Sequence, residues 1–463
     1  MRKVLLLILT FFILTVNVEA ESRIDFIENI KVTINDKSFK QLNDNNYSTY
    51  LNIEAYDTIN ITSDQLFDGV YIIYYLEAKT GTLSYNNEKV DVGKNNFLHE
   101  FIKLDKETND IIITYNEDVR IKEIFLFNGE LPNWVQVWDT PHEDADIMLI
   151  STHSDDEQLF FAGLIPSMVD SGKKMQVIYF TNHNDNPARL DEQLNGLWAV
   201  GLKNYPVLGM FPDAYSTNLD GAIANLKSKG YTVDDAIKFE VDMIRKFKPE
   251  VVVDHDEAGE YGHGQHILNT YVLKEALKVL EDETYESDYE PFMPYKVYLH
   301  LYKENPIVMD YDIPLDYFDG KTAYEVSKLG YAEHLSQQYT WFTKWLTGVN
   351  QSGQGTPYTS AKDIKAVKSP ITGVVSTFSP LEYGLYYSTV GYENIDNNMF
   401  YNIPEQIIEE PIIELEDNQL VNNEVKIVEE YGNTPNYYLL LIPGSALIVL
   451  TILIIYSIKT KKH

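Results

Sequence analysis

Two short clusters of histidine and carboxylate residues have side chains of the types that bind divalent metals. The first cluster reads THSDDE, at residues 152–157, and the second reads GEYGHGQH, at residues 259–266. The chain has no cysteine, so any metal must be held by histidine and carboxylate groups. Two histidines and one carboxylate leave an open coordination position for water, as catalytic zinc requires. Together the clusters predict a hydrolytic metal site, although either one alone also fits a helix start or surface charge.

The order of residues within the clusters suggests a separate role for each side chain. His153 and Asp156 are three residues apart, and at a turn from a strand to a helix both side chains can converge on one metal ion. His266 would supply the third ligand from the first turn of a long predicted helix. Asp155 is adjacent to a ligand without being needed as one, so it is the candidate general base for water. His263 is the candidate to stabilise the oxyanion or to protonate a leaving amine.

The region that contains both clusters, residues 139–403, alternates short apolar strands with helical segments. The predicted strands are IMLIST, QVIYFT, YPVLGMF, EVVVDH and YKVYLHLY, and one helical segment runs from Asp156 to about Val169. This alternation predicts an α/β fold with a parallel sheet covered on both faces. Both clusters directly follow predicted strands, and ligands in such sheets bind beyond the carboxyl ends of the strands. We therefore expect the two clusters to form one site.

The preceding region, residues 21–138, has the alternating pattern of antiparallel strands. Candidate strands are YLNIEAY, GVYIIYYLEA, NDIIITYN and VRIKEIFLFNG, separated by Asn, Asp and Gly turns. The pattern predicts an all-β sandwich. The start LNDNNYSTY and the end IKEIFLFNGELP resemble the galactose-binding-like jelly-roll family, whose members often bind glycans. Glycan binding and a role as a spacer or docking domain both remain open.

The two ends of the chain have the pattern of membrane-targeting segments. Residues 1–20 begin with two basic residues before a long apolar stretch, which predicts a signal peptide cleaved after Ala20 or, alternatively, a second anchor. Residues 437–458 contain no charge and are long enough to span a membrane as a helix. The lysine-rich residues 459–463 would stay in the cytoplasm, and the acidic residues 404–436 would form a spacer. The sequence thus predicts a single-pass membrane protein with its bulk outside the cell.

The charge and the composition of the chain limit the classes of partner it can bind and indicate the type of organism it comes from. The chain has 70 acidic and 37 basic residues, which give a formal net charge of −33 at pH 7. A field of this sign repels phosphate backbones and argues against nucleic acid as a partner. The lack of cysteine and the many Asn, Lys, Ile and Tyr residues favour a Gram-positive bacterium with an AT-rich genome.

The two clusters and the sequence between them resemble the PIG-L/LmbE-like zinc de-N-acetylases. THSDDE resembles the family's AHPDDE motif, and GEYGHGQH resembles its GEYGHPDH-type motif. Between them, RLDEQLNGLWAVGL matches an Arg-x-x-Glu segment, and FPDA matches a Pro-Asp loop. The resemblance covers residues 144–302 and implies a Rossmann-like, three-layer parallel sheet. It also implies the metal ligands His153, Asp156 and His266, the base Asp155, and the electrostatic or acid partner His263.

The resemblance adds two candidate residues and shows two departures. Arg189 and Asp213 occupy the Arg and Asp positions of the two intermediate segments, which implies contact with the sugar. Ser154 replaces the proline of the first motif, and Gly264 and Gln265 replace the Pro-Asp of the second. None of these three is an implied ligand, so the departures put the rigidity of the loops in doubt rather than the chemistry.

The reaction that the resemblance implies is hydrolysis of the N-acetyl group of GlcNAc-type sugars in a surface or cell-wall glycan. The implied cofactor is Zn²⁺, and Fe²⁺ or Mn²⁺ can use the same ligands. Two other functions remain open: a different amidase or esterase on the same scaffold, and a non-catalytic glycan-binding surface protein. N-acetylated and O-acetylated substrates distinguish the first alternative, and tight glycan binding without bound metal would favour the second.

Overall fold

A computed structural model describes most of the chain that precedes residue 405. The described residues are 30–364, 379–393 and 395–404, with the backbone alone of 367–368 and 375–376. The predicted signal peptide, transmembrane helix and cytoplasmic tail, and the predicted spacer beyond residue 404, lie outside these ranges. Within the described ranges, no helix is both long enough and apolar enough to cross a membrane. The interpretations of the two ends therefore stay predictions.

The N-terminal part of the described chain is all-β, as the alternating pattern predicts. Its eight strands are β1 (Ile30–Ile34), β2 (Lys37–Phe39), β3 (Leu51–Ile53), β4 (Thr58–Tyr74), β5 (Gly81–Tyr85), β6 (Glu88–Val92), β7 (His99–Tyr115) and β8 (Val119–Phe127). All pairings are antiparallel, in the order β2-β1-β4-β7-β5-β6, and β8 pairs with β3 and β4. The ladder between β4 and β7 shifts register between Thr62 and Gly69, where the other neighbour of β4 changes from β1 to β8. One hydrogen-bonded sheet thus joins all eight strands, and the galactose-binding-like resemblance stays a prediction.

A second sheet contains the strands that precede the two clusters. Its strands, in the spatial order β10-β9-β11-β12-β16-β13, are β9 (Ile147–Ser151), β10 (Met175–Tyr179), β11 (Val251–Asp254), β12 (Lys296–His300), β13 (Pro306–Val308) and β16 (Glu382–Ser388). β9 to β12 pair in parallel, whereas β13 and β16 are antiparallel. A separate ladder joins β14 (Val367–Lys368) to β15 (Val375–Ser376). The predicted α/β fold is confirmed, but the sheet is mixed rather than purely parallel.

One predicted strand, YPVLGMF at residues 205–211, does not form a ladder. It makes two isolated bridge pairs with β10 and the residues just after that strand. Pro206 has no N–H to donate to a neighbour. Gly209 lies so close to the chain after β10 that a Cβ atom there would be 2.3 Å from the carbonyl oxygen of Thr181. The segment therefore runs beside the sheet without completing a further strand.

Eight α-helices occur within the described residues. They are α1 (Asp156–Leu159), α2 (Leu164–Asp170), α3 (Ala188–Ala199), α4 (Leu219–Ser228), α5 (Val233–Phe247), α6 (Gly264–Ala276), α7 (Ala323–Ala332) and α8 (Trp341–Thr347). The single helix predicted after the first cluster is divided into α1 and α2. Gly163 between them has a φ of 92°, and a Cβ atom there would lie 2.4 Å from the ring of Tyr311. The positive φ and the close packing explain the break.

The second sheet is buried on both faces. Along β9, Ile147 and Leu149 pack into one apolar cluster, and Met148 and Ile150 pack into another on the opposite face. The apolar cluster that contains Ile147 also contains buried residues of α1, α2, α3, α7 and α8. The apolar cluster that contains Met148 also contains buried residues of α4, α5 and α6. This is the arrangement of helices on both sides of a sheet that the sequence predicts. Ile72 of β4 belongs to the same cluster as Leu149, so the N-terminal sheet shares an apolar core with this fold.

A buried polar network also joins the N-terminal sheet to α3. Asp191 of α3 forms ion pairs with His99, whose Nε2 is 3.0 Å away, and with Lys122. Gln136 accepts a hydrogen bond at Oε1 from Trp138 and donates from Nε2 to Oδ1 of Asn195, 2.7 Å away. The two regions therefore contact each other through specific, buried polar groups as well as apolar packing.

Candidate metal centre

Three predicted ligand atoms converge at the carboxyl end of β9. His153 and Asp156 come from the turn between β9 and α1, and His266 comes from the first turn of α6. Nδ1 of His153 lies 3.0 Å from Oδ2 of Asp156 and 3.1 Å from Nε2 of His266. The third distance, from Nε2 of His266 to Oδ2 of Asp156, is 3.2 Å. The structure thus brings together the three side chains that the sequence predicts as ligands.

Each of the two histidines is oriented by a hydrogen bond to its other ring nitrogen. Nε2 of His153 lies 3.0 Å from Oε1 of Gln265, an oxygen that also accepts the backbone N–H of Ala214. Nδ1 of His266 lies 2.7 Å from Oε2 of Glu260. Because these oxygens accept, the hydrogen of each neutral imidazole is placed away from the centre, and its lone pair points inward. This is the pattern of a metal-binding histidine with an oriented partner.

The charge balance of the cluster also fits a cation. Burial favours the neutral form of His153, but the carboxylates of Asp213 and Asp156 raise its pKa to about 10. Burial likewise opposes protonation of His266, and Asp156 raises its pKa to about 9. Without a metal, two protons therefore balance the buried carboxylates. A divalent cation can replace those protons, since metal ligands bind in their deprotonated forms.

Two other histidines are close enough to be considered as ligands, but their nitrogens are engaged differently. Two further groups of donor atoms lie close enough together to hold a metal. One combines His263 with His153 and His266, and the other combines His255 with Asp156 and His266. Nε2 of His255 accepts the backbone N–H of Thr152 at 2.9 Å, and its Nδ1 lies 2.9 Å from Oε2 of Glu260. Both nitrogens of His255 are thus used within the protein, which excludes it as a ligand.

His263 is neutral and presents one free nitrogen. It is the N-cap of α6, and its Nδ1 accepts the backbone N–H of Gln265 at 3.3 Å. Burial and the nearby positive charge of His266 hold its pKa well below the usual range. The hydrogen of the neutral ring is therefore on Nε2. Its ring centre lies 4.7 Å from that of His153, which places the ring beside the proposed ligands.

Asp155, the predicted base, has an unusual backbone conformation and a perturbed acidity. Its φ is 112°, and its side chain is almost fully buried. Oδ1 accepts a hydrogen bond from Nη2 of Arg189 at 2.8 Å. Burial raises the pKa of Asp155 to about 7, although the charge of Arg189 opposes the shift. A carboxyl group that titrates near neutrality can take up and return a proton at physiological pH.

Arg189 and Asp213 also lie at this centre. Arg189, the second residue of α3, reaches Oδ2 of Asp213 with Nη1 at 3.5 Å. Asp213 lies 3.5 Å from Nε2 of His153 and from Nδ1 of His183. Its side chain remains 28% exposed, whereas that of Arg189 is 13% exposed. All seven predicted site residues are thus near one another, and Asp213 is the more accessible of this pair.

Glu260 is the main hydrogen-bonding carboxylate of the centre, and no role for it was predicted from the sequence. Its Oε2 lies 2.9 Å from Nδ1 of His255 and 2.7 Å from Nδ1 of His266. Its Oε1 lies 2.7 Å from Nδ1 of His300. Glu260 belongs to the second cluster itself, six residues before His266, so its position was a usable signal. The remaining partner, His300, ends β12 and has no local sequence pattern.

His183 was also missed. It follows β10, and its Nε2 accepts the backbone N–H of Ser154 at 2.9 Å. Ser154 in turn donates from Oγ to the carbonyl oxygen of Arg189. These bonds hold the loop in which serine replaces the proline of the family motif. The position of His183, four residues after the end of a parallel strand, is a signal that points to this edge of the sheet.

The fold and the site define an α/β protein with a buried His-Asp-His centre beyond the ends of parallel strands. Residues 148–277 match the family model described as PIG-L: GlcNAc-PI de-N-acetylase. This part of the chain is therefore a PIG-L domain, and it contains all seven predicted site residues.

Curated relatives also match part of the chain. A 1D-myo-inositol 2-acetamido-2-deoxy-alpha-D-glucopyranoside deacetylase from Geodermatophilus obscurus is 26% identical over 165 residues, which are 31% of this chain and 56% of that protein. A protein of the same name from Streptomyces griseus is 30% identical over 115 residues, covering 24% of this chain and 36% of that protein. This chain spans about half the length of the curated relatives it matches.

Solved structures of similar proteins include N,N'-diacetylchitobiose deacetylase from Pyrococcus horikoshii. It is 17% identical to this chain with a TM-score of 0.32, over 42% of this chain and 72% of that protein.

Proposed function

We propose that the chain is a metal-dependent deacetylase that hydrolyses the N-acetyl group of a GlcNAc-type sugar. The observation that carries the proposal is the triangle of His153 Nδ1, Asp156 Oδ2 and His266 Nε2, with sides of 3.0 to 3.2 Å. Beside it lies Asp155, a second carboxyl group that titrates near neutral pH. A three-ligand site next to a general base is the arrangement that hydrolytic metal sites use. The PIG-L domain around it supports an N-acetyl sugar as the substrate.

The residues present fit a divalent cation such as Zn²⁺, with Fe²⁺ or Mn²⁺ as alternatives. One carboxylate oxygen and two imidazole nitrogens, each imidazole with a hydrogen-bonded partner, form the donor set. When bound, the cation supplies a Lewis acid that polarises the amide carbonyl and makes water more acidic. The chain's own residues supply the proton transfers and the orientation.

In the proposed reaction, Asp155 removes a proton from the attacking water. The oxygen of that water forms a bond to the carbonyl carbon, and the C–N bond then breaks. The proton held by Asp155 passes to the departing amine, so that acetate and an amino sugar are released. The low pKa of His263 keeps its ring neutral, which disfavours a role in protonating the leaving amine. We therefore assign it the other role, in which its Nε2–H donates a hydrogen bond to the carbonyl oxygen as that oxygen becomes negative. Burial raises the pKa of Asp155 and Arg189 lowers it, and the resulting pKa of about 7 suits both the uptake of a proton from water and its release to the amine.

For substrate contact, we propose different roles for Arg189 and Asp213. Arg189 is engaged with Asp155 and Ser154, so its main role is to hold the base. Asp213 is partly exposed, and its low pKa keeps it ionised beside His153. An ionised carboxylate can accept hydrogen bonds from sugar hydroxyl groups. We therefore assign the direct sugar contact to Asp213.

We further propose that the protein acts on a surface or cell-wall glycan outside the cell. The support is the sequence of the two ends: an apolar, signal-like segment at residues 1–20 and an uncharged segment at residues 437–458. Fractionation and protease digestion of intact cells test this location. Recovery in the membrane fraction, with the domain sensitive to added protease, is expected. A protein recovered in the soluble fraction would contradict the proposal.

The substrate class is tested by acetate release from matched sugars. Purified, zinc-loaded protein is incubated with N-acetylglucosamine oligomers and with glucosamine oligomers whose amines are free and whose hydroxyl groups carry O-acetyl groups. We expect acetate only from the N-acetylated substrate. Release from the O-acetylated substrate alone would identify an esterase. Release from neither, with tight binding of the oligomers by protein that retains no metal, would identify a glycan-binding protein.

A further inference from the structure

A buried histidine outside the matched domain contacts Glu157, the last residue of the first cluster. His334 follows α7, and the domain match ends at residue 277. Nε2 of His334 lies 3.0 Å from Oε1 of Glu157, and both side chains are fully buried. A carboxylate oxygen can only accept, so Nε2 carries a hydrogen and donates it to Glu157. A segment 177 residues away in the sequence thus reaches the residue after a proposed ligand.

The other oxygen of Glu157 holds the backbone of the proposed base. Oε2 accepts the backbone N–H of Asp155 at 2.9 Å. Asp155 has a φ of 112°, a conformation that non-glycine residues adopt only when their surroundings impose it. The chain of contacts runs from His334 through Glu157 to this strained backbone. Loss of the contact between His334 and Glu157 would remove a restraint on the carboxyl group that holds the backbone of Asp155.

The segment around His334 is itself firmly placed. Ser336 donates from its backbone N at 2.8 Å and from Oγ at 2.6 Å to the two carboxylate oxygens of Glu192 in α3. The backbone N of His334 donates to the carbonyl oxygen of Tyr331. A Cβ atom at Gly196 of α3 would lie 2.8 Å from Nε2 of His334, so the imidazole depends on a glycine there. The ring therefore occupies a space that α3 leaves for it.

We propose that His334 is a positioning residue for catalysis, which holds the backbone of Asp155 in its strained conformation through Glu157. The proposal rests on the proposed function, in which Asp155 is the base. It means that the region after the matched domain completes the site, in addition to packing against it. His334 acts on the centre through its contact with Glu157, so its effect should fall on the turnover step rather than on substrate binding.

The test compares two substitutions at position 334 that place a side-chain amide at different distances from the backbone. In His334→Gln, the side-chain amide can reach Glu157 and donate in place of Nε2, whereas in His334→Asn the stem is too short. We expect His334→Gln to keep most of the wild-type kcat and His334→Asn to lose on the order of 10- to 100-fold, as a small misplacement of a catalytic group does. KM and bound metal should be unchanged in both variants. Ser336→Ala, which weakens the same segment without contacting Glu157, should lower stability with little change in kcat.

Equal kcat values for the two amides, whether both normal or both reduced, would overturn the proposal. Hydrogen exchange at the backbone amide of Asp155 separates this outcome from failure of the proposed function. The amide should exchange faster in His334→Asn than in the wild type, and His142→Ala, which removes a histidine outside both clusters, should have no effect. If the amide exchanges faster in His334→Asn but the wild-type protein shows no deacetylase activity, only the proposed function fails. Unchanged exchange in His334→Asn would overturn the positioning role whatever the activity.

Discussion

Nδ1 of His153 and Nε2 of His266 lie 3.1 Å apart, although 113 positions separate the two residues in the chain. The opposite nitrogen of each ring is bound to an oxygen acceptor, Gln265 for His153 and Glu260 for His266. Two imidazoles oriented in this way direct their lone pairs at one point, where Asp156 supplies a carboxylate oxygen. The parallel sheet produces this arrangement, because both clusters follow strands that end at the same edge.

Metal binding should release protons and become tighter as the pH rises from 7 to 9. In the metal-free protein, nearby carboxylates raise the pKa of His153 to about 10 and that of His266 to about 9, although burial opposes both shifts. Both rings therefore hold an extra proton at pH 7, which the metal must displace. The affinity should rise by up to about tenfold per pH unit for each proton released. Calorimetry with Zn²⁺ in buffers of different ionisation enthalpy measures the proton count, and an affinity independent of pH would contradict this expectation.

Replacing Gln265 by alanine should weaken metal binding. The change removes the acceptor for Nε2 of His153 and for the backbone N–H of Ala214. Loss of such an oriented partner typically costs about 10- to 100-fold in metal affinity. Competition with a chromophoric chelator gives the affinity of Gln265→Ala, and the exposed Gln65→Ala is the matched control. If both variants bind metal as the wild type does, Gln265 does not orient His153.

Glu260→Gln should destabilise the metal-free protein. The carboxylate accepts from three imidazoles at 2.7 to 2.9 Å, and an amide would turn one acceptor oxygen into a donor facing an N–H group. An unsatisfied buried polar group costs about 1–3 kcal/mol. Urea unfolding should show this loss for Glu260→Gln, while Glu257→Gln, at an exposed ion pair three residues earlier, should change little. Equal stability of the two variants would refute the central role of Glu260.

Asp191→Asn should destabilise the chain by separating the N-terminal sheet from α3. The change leaves the buried ammonium of Lys122 without its charged partner. Removing one partner of a buried ion pair typically costs about 3–5 kcal/mol. The exposed Asp220→Asn is the control, and hydrogen exchange shows where protection is lost. We expect faster exchange in both α3 and β8, and loss confined to one of them would mean that the network does not join the two regions.

That His153, Asp156 and His266 lie together could be predicted from sequence, because each cluster combines suitable residue types with a position after an apolar strand, while their role as metal ligands stays a proposal. Asp155, His263, Arg189 and Asp213 were also predicted, and the structure places them at the same centre, while their roles stay proposals. Glu260 was overlooked within a cluster, since an acid in a loop fits solvent exposure equally well. His300 and His334 could not be assigned from local patterns, because their contacts depend on how distant segments pack.

In the fold, too, features set by a short segment could be predicted from the sequence, whereas features set by contacts between distant segments could not. Strongly apolar segments such as IMLIST and EVVVDH were predicted as strands, and they form β9 and β11. YPVLGMF was wrongly predicted, because Pro206 and the close approach at Gly209 prevent a regular ladder. The antiparallel strand β16 pairs with β12, about 85 residues earlier, and no periodicity along the chain indicates such a pairing.

The most direct test of the central claim is acetate release by Asp155→Asn measured together with its zinc content. The amide keeps the size of the side chain but cannot take a proton from water. We expect Asp155→Asn to retain one zinc ion per chain and to lose acetate release from N-acetylglucosamine oligomers by at least about 100-fold. The exposed Asp185→Asn should behave as the wild type. Undiminished acetate release by zinc-loaded Asp155→Asn would contradict the account of this centre as a metal site with Asp155 as its base.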